Sequence, residues 1–215
     1  MNREKRVMAV AISIIAIVLL VFGLFSLTGR IGYGPRMMGG YSTEQTFGMM
    51  GGYSRYGNIA DTKSEAEINA DIEAAQANAQ IDAVENTITY TGSDITVVIM
   101  GGPEEADEKF VINGLVNPTL YIPKDAAVTL EFVNVDEGMP HAFEITNAEP
   151  PYFYMAMMSG GVYPGSIIGT LPAADNGQYP TETITFTAGI AGTFYYICQY
   201  PGHAQEGMYG TIIIA

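Results

Sequence analysis

Cysteine is nearly absent from this chain. Cys198 is the one cysteine in 215 residues, so no intramolecular disulfide can form and the usual staple of a secreted domain is missing. Histidine is almost as scarce, with only His141 and His203. Basic residues are few and crowd the front of the chain. From Ile59 onward there are three lysines (Lys63, Lys109, Lys124) and no arginine against 21 Asp and Glu, so that portion stands near −18. Such a balance excludes nucleic-acid binding, which needs a basic footprint. It fits docking to a basic partner, or an acid medium in which many carboxylates are protonated.

What the chain does hold is concentrated in one run, Cys198-Gln199-Tyr200-Pro201-Gly202-His203-Ala204-Gln205-Glu206-Gly207-Met208. The lone cysteine, one of the two histidines and a methionine are spaced Cys-x4-His-x4-Met between two strand-like stretches. Thiolate, imidazole and thioether together favour copper in its two oxidation states, and a trigonal His2Cys site with a weak axial Met is an electron-transfer geometry. The second imidazole has to be His141, because no other remains. Met139 and Met155 to Met158 compete for the axial position; equal steps from Cys198 through His203 to Met208 wrap one tight loop and favour Met208. Taken singly these residues are ordinary packing. The weight lies in their coincidence within a chain so poor in His and Cys.

The same scarcity limits the chemistry. A multicopper oxidase or nitrite reductase needs many more imidazoles than two, and a dinuclear copper subunit needs a second cysteine. The chain is therefore not expected to be an enzyme or to take a small-molecule substrate. A single-electron carrier and an extracytoplasmic copper chaperone or store stay open as alternatives. A metal-free sandwich module is the bland reading.

The length suits one domain plus appendages, divided as follows. Residues 1–28 form a cytoplasmic tip and transmembrane anchor. Arg3, Lys5 and Arg6 precede Val7 to Leu27, 21 residues without a charge, a helix of roughly 31 Å that would cross a bilayer. A cleaved signal peptide is the rival, but its apolar stretch is shorter and ends at an A-x-A-like site. The basic tip places the N-terminus in the cytoplasm and the rest outside, single-pass in the cell membrane. Residues 29–58 are a linker rich in Gly, Met and Tyr, with the near-repeat Met37-Met38-Gly39-Gly40-Tyr41-Ser42 and Met49-Met50-Gly51-Gly52-Tyr53-Ser54. As a coil this tether spans on the order of 30 Å.

Residues 59–85 are a helical extension. Ser64 and Glu67 have the capping-box form, opening a helix to about Gln80 with Ile68, Ile72, Ala75 and Ala79 on one face. Residues 86–215 read as an antiparallel β-sandwich. Its strands are expected near Thr87–Tyr90, Ile95–Met100, Lys109–Ile112, Thr119–Ile122, Ala127–Val133, Ala142–Thr146, Thr183–Thr187, Thr193–Cys198 and Gly210–Ile214. Ala148 to Pro180 has no strand pattern and is expected to cover something.

Asn86 to Ala215 resembles the rusticyanin-type cupredoxins, blue copper proteins of iron-oxidising acidophiles. The resemblance is carried chiefly by Gly138-Met139-Pro140-His141-Ala142-Phe143-Glu144-Ile145-Thr146 and by Gly192 through His203, with weaker support from Asn117-Pro118-Thr119-Leu120-Tyr121-Ile122-Pro123 and Pro150-Pro151-Tyr152. It implies an all-β, Greek-key cupredoxin sandwich and one type 1 copper held by His141, Cys198, His203 and Met208. It also implies redox partners such as cytochromes or a terminal oxidase, and an exposed His203 within an apolar docking rim. Phe143, Tyr152, Met155, Met157, Met158, Tyr200, Pro201 and Tyr209 are candidates for the dry shell. The family commonly has serine after the first histidine ligand, where its hydroxyl ties the ligand loops; this chain has Ala142.

Overall fold

The structure, a computed structural model, describes residues 61–156 and 161–215. The anchor and linker expected over 1–28 and 29–58, together with Met157 and Met158, lie outside the described residues. Among those described, no helix is long and apolar enough to cross a membrane.

Among the described residues there are thirteen strands: β1 (Asp61–Lys63), β2 (Ala79–Asp82), β3 (Thr87–Tyr90), β4 (Asp94–Gly101), β5 (Phe110–Ile112), β6 (Leu115–Val116), β7 (Thr119–Ile122), β8 (Ala127–Asn134), β9 (His141–Thr146), β10 (Ile167–Leu171), β11 (Tyr179–Thr187), β12 (Gly192–Ile197) and β13 (Tyr209–Ile214). They form a six-stranded sheet ordered β1-β11-β8-β4-β5-β6 and a seven-stranded sheet ordered β10-β9-β12-β13-β7-β3-β2. The alternation in the sequence explains the two layers. Val128, Leu130 and Phe132 of β8 point into a core shared with Phe143 and Ile145 of β9 and with Phe194 and Tyr196 of β12, because successive side chains on a strand face opposite ways. Phe110, Phe132, Phe143 and Tyr196 meet near the centre at ring separations of 5.4–6.3 Å.

The sandwich is mixed rather than antiparallel throughout. β4 runs parallel to β8, and β7 runs parallel to both β3 and β13. Many links cross from one layer to the other, so sheet neighbours need not be hairpin partners. β10, within the stretch expected to have no strand, pairs antiparallel with the edge of β9. Its short, glycine-interrupted pattern is completed by that partner rather than by propensity. The same stretch also holds the first residues of β11.

Helix α1 (Glu65–Ala75) begins at Ser64, whose amide and hydroxyl both donate to the Glu67 carboxylate. It ends earlier than expected, passing through a 3-10 turn at Gln76–Asn78 into β2. Ile68 and Ala75 are buried and Ile72 half-buried against Val98 and Val133, on the outer face of the six-stranded sheet. Glu131 lies on that covered face; it accepts from Lys63 of β1 and from Thr181, and Lys63 also reaches Asp71 of α1. A buried carboxylate needs such partners. Through β1 and β2 this extension joins both sheets.

Candidate metal centre

Two parts of the seven-stranded sheet converge at one end of the sandwich. His141 is the first residue of β9, and Cys198 immediately follows β12, the neighbour of β9. From Cys198 the chain makes a compact series of turns and re-enters the sheet as β13 at Tyr209. The loop is closed by backbone bonds: Cys198 N donates to Met208 O at 3.1 Å, and Met208 N donates to His203 O at 2.8 Å. Cys198, His203 and Met208 are thus tied to one another before their side chains are considered.

The side chains of His141, Cys198 and His203 turn toward a common point. The two Nδ1 atoms are 3.0 Å apart, and Cys198 Sγ lies 3.8 Å from Nδ1 of His141 and 3.6 Å from that of His203. The circle through three atoms so spaced has a radius of about 2.0 Å, which is bond length for a transition metal with imidazole nitrogen. Without an ion, an Nδ1 to Nδ1 contact at this distance needs a proton between the rings; with both lone pairs inward, the pair would chelate a metal ion. His141, Cys198 and Met208 have no exposed surface, and His203 is only 3 % exposed. Imidazole, thiol and thioether in one dry pocket fit copper.

Electrostatics agree with metal binding from a neutral pocket. Burial pushes the Cys198 thiol up to about 11, against the opposing pull of the Ala142 and Tyr200 amides on the sulfur. The Ala142 amide lies 3.4 Å from Sγ. Burial lowers both histidines below their ordinary value, so each offers a free lone pair near neutrality. His141 Nε2 faces Asp136 Oδ2 at 3.0 Å, a contact the sequence reading missed. Its one signal was an Asp-x-Gly turn five residues before the histidine. His203 Nε2 has no hydrogen-bond partner among the described residues.

The expectation of an exposed His203 is corrected here. Its ring packs 4.7 Å from that of Tyr200, while Tyr154 lies over neighbouring Gly202 and accepts from the Gly202 amide through its carbonyl. The expected shell holds for Phe143 in the core and for Tyr152, which stacks edge-on against Tyr209 and joins Ile197 and Ala204. Tyr200 and Pro201 are half-buried. Met155 is 47 % exposed and is not part of a dry shell, because its segment runs along the surface with Phe153 and Tyr154, 85 % and 61 % exposed.

Ala142 does not leave the ligand loops untied. Asn117 accepts from Phe110 N and donates to Gly207 O at 2.9 Å, and Lys109 Nζ reaches Glu206 O at 3.3 Å. On the other side Asn134 donates to the carbonyls of Met139, Leu171 and Pro172. Asn134 at the end of β8 thereby fixes the segment leading into His141, and Asn117 in the β6–β7 turn, with Lys109, fixes the end of the Cys198–Met208 loop. Glu144, buried on the outer face of β9, receives the Gln199 amide beside the cysteine, and burial raises its carboxyl above the usual range.

Fold and donor set together define a cupredoxin-type sandwich with a mononuclear His2Cys centre. The chain belongs to the sulfocyanin family, whose SoxE domain matches residues 83–215. It is similar to rusticyanin of Acidithiobacillus ferridurans, 37 % identical over 130 residues that cover 60 % of this chain and 67 % of the relative. It is also similar to a rusticyanin of Acidithiobacillus ferrooxidans, 36 % identical over 60 % of this chain and 81 % of the relative. Among solved structures, rusticyanin from Thiobacillus ferrooxidans superposes with a TM-score of 0.65 at 30 % identity, covering 74 % of this chain and 99 % of that one. A structure described as the copper protein rusticyanin gives 0.62 at 28 %, covering 72 % and 97 %. The family binds one type 1 copper, and His141, Cys198, His203 and Met208 come together as a site for it.

Proposed function

We propose that this protein is a membrane-tethered single-electron carrier. In this reading, copper would be held by His141 Nδ1, His203 Nδ1, the Cys198 thiolate and the Met208 thioether. The observation that carries it is the buried triangle of two imidazole nitrogens and one sulfur at bond-length radius. Bound copper supplies the Cu(I)/Cu(II) interconversion. The chain's own residues do the rest: β9 and β12 pin the donors so that little moves between oxidation states, the Ala142 amide withdraws charge from the sulfur, and the apolar walls limit water.

Val7 to Leu27 is the proposed single-pass anchor, with the N-terminus cytoplasmic and the copper domain outside. Residues 29–58 are the proposed tether, 59–85 the extension and 86–215 the copper domain. Such a tether lets the domain reach between membrane-bound respiratory redox proteins, cytochromes or a terminal oxidase. Exposed Phe153, Tyr154 and Met155, on the strand of chain that bonds to Gly202, supply an apolar face beside the buried His203 edge. This apolar face supports electron exchange at that end.

The test is the visible spectrum and redox titration of the full chain in detergent after addition of Cu(II). An intense thiolate-to-copper band with a reversible one-electron wave is the expected result. Metal that binds only as Cu(I), with no such band on oxidation, would instead mark a chaperone or store. In the same assay Met208→Leu keeps the band, because the three strong donors remain. Its potential rises, since loss of a donor disfavours Cu(II); a tenfold change in relative affinity corresponds to about 59 mV.

A further inference from the structure

We infer that Asp136 is a positioning residue for the copper centre, fixing the His141 ring and its tautomer and biasing the site toward Cu(II). The inference rests on the copper reading above. Asp136 Oδ2 sits 3.0 Å from His141 Nε2. A carboxylate there accepts the Nε2 proton, so Nδ1 is left as the lone pair facing Cys198 and His203. Carboxylate partners of this kind orient a ligating imidazole and increase its basicity.

The carboxylate is itself fixed in place. Its Oδ1 accepts from the amides of Gly138 at 2.6 Å and Met139 at 3.0 Å. Asp136 N donates to Asn134 Oδ1, and Ala174 N donates to Asp136 O at 2.7 Å. Asn134 is fully buried and holds Met139, Leu171 and Pro172 through their carbonyls. The Asp136 side chain is only 11 % exposed, so its charge is poorly screened.

Gly102 completes the arrangement. A Cβ at that position, where φ is +63°, would stand 2.4 Å from His141 Nε2 and 2.7 Å from Asp136 Oδ2. Only glycine leaves room for the pair. His203 has no counterpart, since its Nε2 is without a partner among the described residues. One imidazole is therefore anchored by an anion and the other is not. Negative charge in contact with the anchored ring favours the more highly charged metal ion, which lowers the reduction potential relative to the same site without it.

The experiment compares Asp136→Asn with Glu137→Gln in the full chain. Glu137 is an exposed neighbour that loses the same charge without touching His141. Asparagine keeps the shape, but its single oxygen cannot serve both the ring and the two amides. Asp136→Asn is expected to weaken Cu(II) binding about tenfold more than Cu(I) binding, the low end for loss of such a partner, and so to raise the potential by about 59 mV. Glu137→Gln should move it by less than a third of that shift. Equal shifts, or none in Asp136→Asn, would overturn the inference. A wild-type protein with no blue band and no redox wave would instead defeat the copper reading. A second measurement needs neither copper nor a variant: in the metal-free protein, long-range nitrogen-15 correlations should find the His141 proton on Nε2, exchanging more slowly than the ring proton of His203. A proton on Nδ1, or equal exchange, would overturn the positioning role whatever the variants do.

Discussion

Cys198→Ser is expected to give a folded protein with no intense visible band and no one-electron wave. The band requires a thiolate bound to Cu(II), and this chain has no other sulfur anion to offer. The fold should survive because serine keeps an acceptor for the Ala142 amide and occupies less volume. Titration with Cu(II) should show an affinity lower by at least about a hundredfold, the upper end for loss of a mere supporting partner. The proton balance gives a second readout. In the metal-free protein burial holds the thiol proton up to about pH 11, so copper has to displace it at any pH below that value. Apparent Cu(II) affinity of the wild type should therefore rise about tenfold per pH unit near neutrality from this group alone. Cys198→Ser should lose that slope. An unchanged slope, or a surviving blue band, would show that Cys198 is not the sulfur donor.

Gly210→Ala is expected to cost stability on the order of 3 kcal/mol, at the upper end for overpacking a core. A Cβ at Gly210 would stand 2.2 Å from Cζ and Oη of Tyr196 and 2.6 Å from Cε1. That ring cannot retreat. It is fully buried among Phe110 and Phe143, and its hydroxyl donates to Pro118 O at 2.7 Å. For a domain of this size the penalty corresponds to a fall of roughly 6–12 °C in Tm. The strain falls two residues after Met208, at the start of β13, so the ligand loop should loosen as well and copper should leave faster. Thermal unfolding of both metal-free and copper-loaded protein would test this. A shift of under 2 °C, well below that range, would mean that the ring and strand can rearrange together.

The two histidines and the cysteine were legible because those residue types are so rare here, whereas Met208, one of 12 methionines, was picked out by its spacing from His203. With two histidines and one cysteine, the distant His141 could be matched to the C-terminal loop without a structure. The central strands were legible for a different reason: in Val128-Thr129-Leu130-Glu131-Phe132 the period of two is written in the side chains themselves. β1, β2 and β10 were not, since each is short and owes its conformation to a strand already in place. The parallel pairings were hidden too. They depend on which layer each crossing reaches, and local pattern carries no information about that.

Asp136 was one acid among 23 Asp and Glu. Only a common Asp-x-Gly turn pattern distinguishes it from Glu137 beside it, yet one holds a ligand ring and the other faces solvent. Likewise the family likeness pointed to an exposed His203, and the packing of Tyr200 and Tyr154 around its loop decided otherwise.

By itself the sequence determined the metal-binding vocabulary and the sandwich, because ligand chemistry and strand periodicity are properties of residue type and spacing. The tertiary structure alone decided which carboxylate meets His141, how deeply His203 is covered and where α1 lies. Those outcomes depend on contacts between segments far apart in the chain, and their energies exist only once the two sheets have closed on each other.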